Sequence, residues 1–227
     1  MSSENQLSLF DNFSFAETNQ KQLIPTDTKI PIPPGTYSNM VDLAQHCNNC
    51  YRCELGNHRT HAVVGRGNLQ AQIMIIGEAP GQTEDETGLP FVGKSGQLLE
   101  KILASVHLTE SDVYIANINK CRPPENRTPT PEEMAACKPY LLEQIRLVNP
   151  KIILLTGATA VKGLLNDKRG ITKIRGEWIE WESRLCMPIF HPSYLLRNPS
   201  KEKGSPKWLM WQDIQKIRAK YDEIRGN

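Results

Sequence analysis

Residues 72–85 read QIMIIGEAPGQTED, a short apolar run that stops at Gly77 and gives way to a loop crowded with carboxylates. A near-continuous apolar run of this length, bounded by glycine and proline, predicts a strand buried on both faces. The pattern recurs at Val113–Asn117 (VYIAN), Lys151–Thr156 (KIILLT) and Cys186–Phe190 (CMPIF), each run ending where a loop begins. Helical segments are predicted between them, at about 38–49, 94–107, 131–147, 157–165 and 206–225. Thr130 followed by Pro131-Glu132-Glu133 gives one of these a clear start, with an N-cap, a proline at the first position and acids in the first turn. Strands alternating with helices predict a three-layer α/β/α domain around a central four-stranded parallel sheet. In such sheets ligands bind beyond the carboxyl ends of the strands, so the residues after each run are where function is sought.

The bulk properties fit that frame. A chain of 227 residues accommodates one domain plus a tail, and 39% hydrophobic residues can build one sizeable core. No apolar run approaches membrane-spanning length, and the start MSSENQLSLFDNFSF lacks a basic segment followed by an apolar one. An intracellular, cytoplasmic protein with no membrane partner is expected, and nothing in the sequence calls for more than a monomer. The net charge is +2, unevenly spread: residues 1–40 have Asp or Glu at four positions and Lys at two, whereas 166–225 hold 13 Lys/Arg against 8 Asp/Glu. A basic carboxyl-terminal stretch beside an acidic tail suits a nucleic-acid partner.

Residues 1–37 lack a sustained period and carry Ile-Pro, Pro-Pro and Pro-Gly punctuation, which predicts a disordered tail ahead of a domain at 38–227. Within the tail, Gln6-Leu7-Ser8-Leu9-Phe10 is an isolated apolar knot. It is similar to the bacterial sliding-clamp-binding motif, in which a Gln leads and a Leu-Phe pair fills a groove. That likeness implies the clamp as a partner.

Three strand ends present chemistry together. The first loop offers Glu78, Gly81, Glu84 and Asp85, then Phe91 in GLPFVG; the second offers Asn117 and, beyond Lys120 and Cys121, Asn126; the fourth offers His191 in HPSYLLR. Each residue alone has ordinary structural uses, but their joint placement after successive strands points to one site. The blocks GEAPGQTED, GLPFVGKSGQLL, NINKCRPPENRTPTPEE and HPSYLLR, in this order, resemble the family 4 uracil-DNA glycosylases, the iron–sulfur branch of the uracil-DNA glycosylase superfamily. The resemblance runs from about Cys50 to Tyr221.

This resemblance implies uracil-containing DNA as substrate, hydrolysis of the base–sugar bond to leave an abasic site, and the first step of base excision repair. It implies that Phe91 stacks on a flipped uracil and that Asn117 reads its edge, donating to O4 and accepting from N3–H. Cytosine reverses both polarities, so a buried Asn can reject it. His191 is expected near O2, where negative charge grows as the bond breaks. Glu78 and Glu84 are expected to stabilise the sugar cation or orient the water, with their division of labour open. Asn126 is expected to position water or sugar, and Gly81 to let the backbone approach the ligand. Leu195, Leu196 and Arg197 match the loop that enters the minor groove and fills the vacated space.

Six cysteines in a protein expected to be cytosolic read as metal or cluster ligands rather than disulfides. The resemblance assigns Cys50, Cys53, Cys121 and Cys137 to a [4Fe–4S] cluster with a structural role. Spacing alone does not separate iron–sulfur from zinc, nor a Cys47–Cys50 pair from Cys50–Cys53. The family places its second ligand before a residue and a Leu, as in Cys53-Glu54-Leu55, which leaves Cys47 and Cys186 as ordinary thiols. Three other readings remain on the sequence. A sensor that becomes covalently attached to uracil needs a His-bearing basic insert, which RPPENRTPTPEE at 122–133 lacks. A zinc-stabilised scaffold leaves Phe91, Asn117 and His191 unexplained. Hypoxanthine or xanthine removal is less favoured by Glu78 and Asn117.

Overall fold

The computed structural model describes residues 31–226. Six strands, β1 (Arg66–Gly67), β2 (Ile73–Gly77), β3 (Val113–Asn117), β4 (Ile152–Thr156), β5 (Ile179–Trp181) and β6 (Arg184–Ile189), form one sheet in the order β1-β3-β2-β4-β6-β5. Its four central strands are parallel, as expected. Antiparallel β1 and β5 are added at the two edges. Neither has a continuous apolar run, because β1 has two residues and β5 alternates half-buried with exposed. The β5–β6 hairpin turns through Glu182 and Ser183, both with positive φ, without the glycine that marks such turns in sequence.

The helices are α1 (Met40–Asn48), α2 (Gln82–Thr87), α3 (Lys94–Ala104), α4 (Pro131–Val148), α5 (Ala158–Leu165), α6 (Ile171–Ile174), α7 (Pro192–Arg197) and α8 (Pro206–Gly226). The short α2, α6 and α7 escape the sequence reading because fewer than two full turns carry little periodicity. Strand residues alternate between two cores, which makes the domain three-layered. Ile73, Ile75, Val113, Ile115, Ile152 and Leu154 pack with residues of α3, α7 and α8. Met74, Ile76, Tyr114, Ala116, Ile153 and Leu155 pack with α4 and α5. At the start of α4 the Thr130 hydroxyl accepts from the Glu133 N–H at 3.2 Å, while the Glu133 carboxylate accepts from the Thr130 N–H at 2.8 Å, a full capping box.

The folded unit begins earlier than the expected boundary at 37. Ile32 and Tyr37 are buried against Leu43, Cys47 and Tyr140, and the N–H groups of Gly35 and Tyr37 donate to the Glu143 carboxylate. A proline-rich segment has few backbone donors, and here the two that matter find one acidic side chain on α4. The pentapeptide Gln6–Phe10 lies outside the described residues.

The parallel register places Gly77 beside Asn117 and Thr156 beside Ile189, so the loops after β2, β3, β4 and β6 open at one edge of the sheet. With β3 on one side of β2 and β4 on the other, the chain reverses its winding there and leaves a crevice.

Candidate active site and thiol cavity

That crevice is a cleft with about 1470 Å³ of atom-free space. Glu78, Gly81, Glu84, Phe91, Asn117, Asn126, His191 and Arg197 all line it. Gly77 explains how two of them come together. A Cβ there would stand 2.3 Å from Asn117 Oδ1 and 2.6 Å from Phe91 Cζ, so only glycine lets both side chains settle over the end of β2. Asn117 is buried, yet its side-chain amide has no hydrogen-bond partner among the described residues. Its polar atoms face the open cleft, where a ligand can take the place of water on them.

Phe91 is held in an unusual shape. Its φ is 54°, in the left-handed region, which costs an ordinary residue about 1–3 kcal/mol. Three contacts enforce it. Glu84 Oε1 accepts from the N–H groups of Val92 and Gly93 at 3.0 and 2.8 Å. Arg66 donates to the carbonyls of Pro90 and Phe91 at 2.8 and 3.1 Å. Gly96 leaves room for the Phe91 carbonyl, which a Cβ would meet at 1.7 Å. Glu84 thus acts as the clamp of the Phe91 loop, whereas the Glu78 side chain has no hydrogen-bond partner among the described residues.

His191 faces Phe91 with ring centroids 5.9 Å apart. Its Nδ1 accepts from the Ser193 backbone N–H at 3.1 Å and lies 2.8 Å from Ser193 Oγ. Because a backbone N–H can only donate, Nδ1 must keep its lone pair and the proton of the neutral ring sits on Nε2. Burial, helped by the nearby Arg197 charge and opposed by Glu84, lowers the imidazole from the ordinary 6.5 to about 4. At neutral pH the cleft therefore holds an uncharged histidine with an N–H to offer.

Two sequence expectations change at this edge. Leu195 is 1% exposed and packs in the core with Met210 and Ile214, so it cannot enter a groove. One residue later on α7, about 100° round the helix, Leu196 is 44% exposed beside the exposed Arg197. Asn126 is exposed at the rim, where its Oδ1 accepts from Arg122 Nε at 2.7 Å. Arg66 and Ser193 were missed because they act through backbone atoms of the cleft, which no side-chain motif announces.

Behind Asn117 lies a second space, about 300 Å³ free of atoms, lined by Cys47, Cys50, Cys53, Cys121 and Cys137 with Arg52, Lys120 and Tyr140. Cys186 is buried elsewhere, in the core against α4 and α5. Among the described residues no group of three or more His, Cys, Asp or Glu side chains is arranged to hold a metal ion; the thiols stand around a shared space. Three of them receive N–H donors. The Lys120 N–H reaches Cys137 Sγ at 3.2 Å, the Arg52 N–H reaches Cys50 Sγ at 3.5 Å, and Arg59 Nη1 reaches Cys121 Sγ at 3.5 Å. Near Cys53 the Gly56 N–H donates to the Cys53 carbonyl oxygen at 3.0 Å. No N–H donor reaches Cys47 Sγ among the described residues, although that thiol is buried. As bare thiols, burial pushes Cys137 up to about 12 and Cys121 up to about 11, with Lys120 and Arg59 respectively pulling down. Such sulfurs become thiolates only when a metal supplies positive charge.

The family model for the uracil DNA glycosylase superfamily matches residues 64–215. The chain is 46% identical to the type-4 uracil-DNA glycosylase of Thermotoga maritima over 79% of its length and 93% of that protein. It is 42% identical to the type-4 uracil-DNA glycosylase of Pyrobaculum aerophilum, over 71% of this chain and 87% of the relative. Against the type-5 uracil-DNA glycosylase of the same organism the identity is 28%, over 76% of this chain and 89% of the relative. Among the described residues no helix is long and apolar enough to cross a membrane.

Proposed function

The chain belongs to the type-4 uracil-DNA glycosylases, a DNA-repair family that hydrolyses uracil from DNA, and from that membership we propose how its residues do so. The side-chain amide of Asn117, facing the cleft beside Phe91 with no protein partner among the described residues, carries the reading. A uracil flipped from the duplex stacks on Phe91 and completes that amide with O4 and N3–H. Because the Phe91 loop is fixed by Glu84, Arg66 and Gly96, the stacking face is ready before the base arrives.

As the base leaves it becomes anionic, and the Nε2–H of neutral His191 donates to O2. Glu78, with no competing partner, orients the water or steadies the sugar cation; Glu84 acts as a positioning residue for Phe91. Gly81 lets the substrate backbone approach the loop. Leu196 fills the space left by the flipped base, and Arg197 meets phosphate. Asn126 is a rim contact to the strand rather than a water ligand, since Arg122 holds its oxygen.

We further propose that Cys50, Cys53, Cys121 and Cys137 hold a [4Fe–4S] cluster. Support comes from thiols spread around a cavity rather than drawn to one point, and from an N–H donor on three of the four, Cys50, Cys121 and Cys137. Zinc needs four sulfurs about 2.3 Å from one ion. When bound, the cluster supplies a covalent cross-link and negative charge, and the protein residues do the hydrolysis. Recruitment by the sliding clamp through Gln6–Phe10 rests on the pentapeptide itself.

The test is incubation of anaerobically purified protein with a uracil-containing oligonucleotide, then alkali and a sizing gel. Cleavage at uracil and not at thymine is expected. An intact strand in a tightly held complex would move the reading to a uracil-binding sensor.

A further inference from the structure

Lys120 is 2% exposed, one of the largest fully buried side chains of the domain. Its ammonium donates to the Asn117 backbone carbonyl at 2.6 Å. Its own N–H donates to Cys137 Sγ, and its carbonyl accepts from the Val63 N–H at 2.7 Å. The same residue lines the thiol cavity beside Cys47, Cys121 and Cys137. One residue therefore touches both the strand end that carries the base reader and the wall of the cysteine site. An ammonium has three N–H groups, and only the one on Asn117 has an oxygen or nitrogen acceptor among the described residues. A buried cation with one neutral acceptor is strongly disfavoured unless an anion stands nearby. Four thiolates outnumber the positive charge of the iron–sulfur core they bind, so a loaded cavity supplies that anion.

We propose that Lys120 is a positioning residue that makes uracil reading depend on the loaded cysteine site, its charge held by the thiolates on one side while its ammonium fixes Asn117 on the other. This rests on the proposed cluster and on Asn117 as reader. The loaded site thereby serves catalysis without any electron transfer: it keeps a cation in place behind the residue that selects the base.

The experiment compares Lys120→Met and Lys120→Arg with the parent, all purified anaerobically with iron content, visible absorbance and thermal unfolding recorded first. Lys120→Met is expected to keep the cluster, to lose about 10- to 100-fold in kcat/KM for uracil release, and to show a more negative cluster reduction potential because a neighbouring cation is gone. Lys120→Arg keeps the charge and restores the potential. A Lys120→Met protein with the parent's potential or the parent's kcat/KM overturns the proposal. Should Lys120→Met lose its cluster or its fold, the unmodified protein decides: by reciprocity, free uracil must raise the fraction of cluster retained at equilibrium against a chelator, and the same retained fraction with and without uracil overturns the coupling. Asn117→Ala is run alongside. If its activity equals the parent's, the reader assignment has failed, a result distinct from failure of the coupling.

Discussion

The cleft and the thiol cavity lie four residues apart along the chain, at Asn117 and Cys121, and they treat polar atoms in opposite ways. In the cleft the Asn117 amide and the Glu78 carboxylate are left without partners while the surrounding loop is braced. In the cavity the sulfurs of Cys50, Cys121 and Cys137 are each given an N–H. A group that must release its ligand every turnover is kept unpaired and ready. One that holds a ligand permanently is surrounded by donors that stabilise the bound charge. The contrast also separates Cys50, Cys121 and Cys137 from Cys47, which faces the cavity without a donor.

The contrast breaks most severely if Cys47 and Cys121 prove equivalent. Cys121→Ser is expected to lose iron, visible absorbance and activity together, while Cys47→Ser keeps all three; iron analysis and the oligonucleotide assay decide. Next in size is the pair on α7. Leu195→Ala should lower unfolding stability by about 2–5 kcal/mol through a core cavity, whereas Leu196→Ala should stay within about 0.5 kcal/mol and lose activity on double-stranded substrate. Equal destabilisation of the two in urea titrations would contradict the division between core and groove.

The braced loop gives a third test. Glu84→Ala releases two backbone N–H groups and is expected to cost about 100-fold in kcat/KM with the cluster intact, since small misplacement of Phe91 spoils stacking. Parent-like kinetics would show that the loop needs no clamp.

The smallest effect concerns His191. Its folded value is depressed to about 4 against the ordinary 6.5, so its contribution to stability is full above pH 6.5 and is lost as pH falls toward 4. Activity should fall on the same limb, as the imidazolium replaces the neutral donor. Arg197→Ala removes a charge that lowers this value, so the acid limb of the pH–rate profile should move up, by less than about one unit. A limb centred near 6.5 in the parent would contradict a neutral buried histidine.

Much of this was legible in the sequence because it depends on continuous patterns. Ile, Leu and Val runs gave the four parallel strands, and the residues after them gave Glu78, Phe91, Asn117 and His191 in one cleft. What stayed hidden depends on direction or on backbone atoms. The sequence presents Leu195 and Leu196 as equals, and only the rotation of α7 sends one into the core. Glu84 reads as a spare carboxylate until its oxygen is seen on two N–H groups. The donor that distinguishes Cys50 from Cys47 is a main-chain N–H, which carries no residue code.

The most direct measurement is the single-turnover rate of uracil release by cluster-loaded Asn117→Ala protein. A loss of about 1000-fold, with iron content and melting temperature unchanged, is the predicted result. A rate within a few-fold of the parent would mean that the unpaired amide at the end of β3 does not read the base.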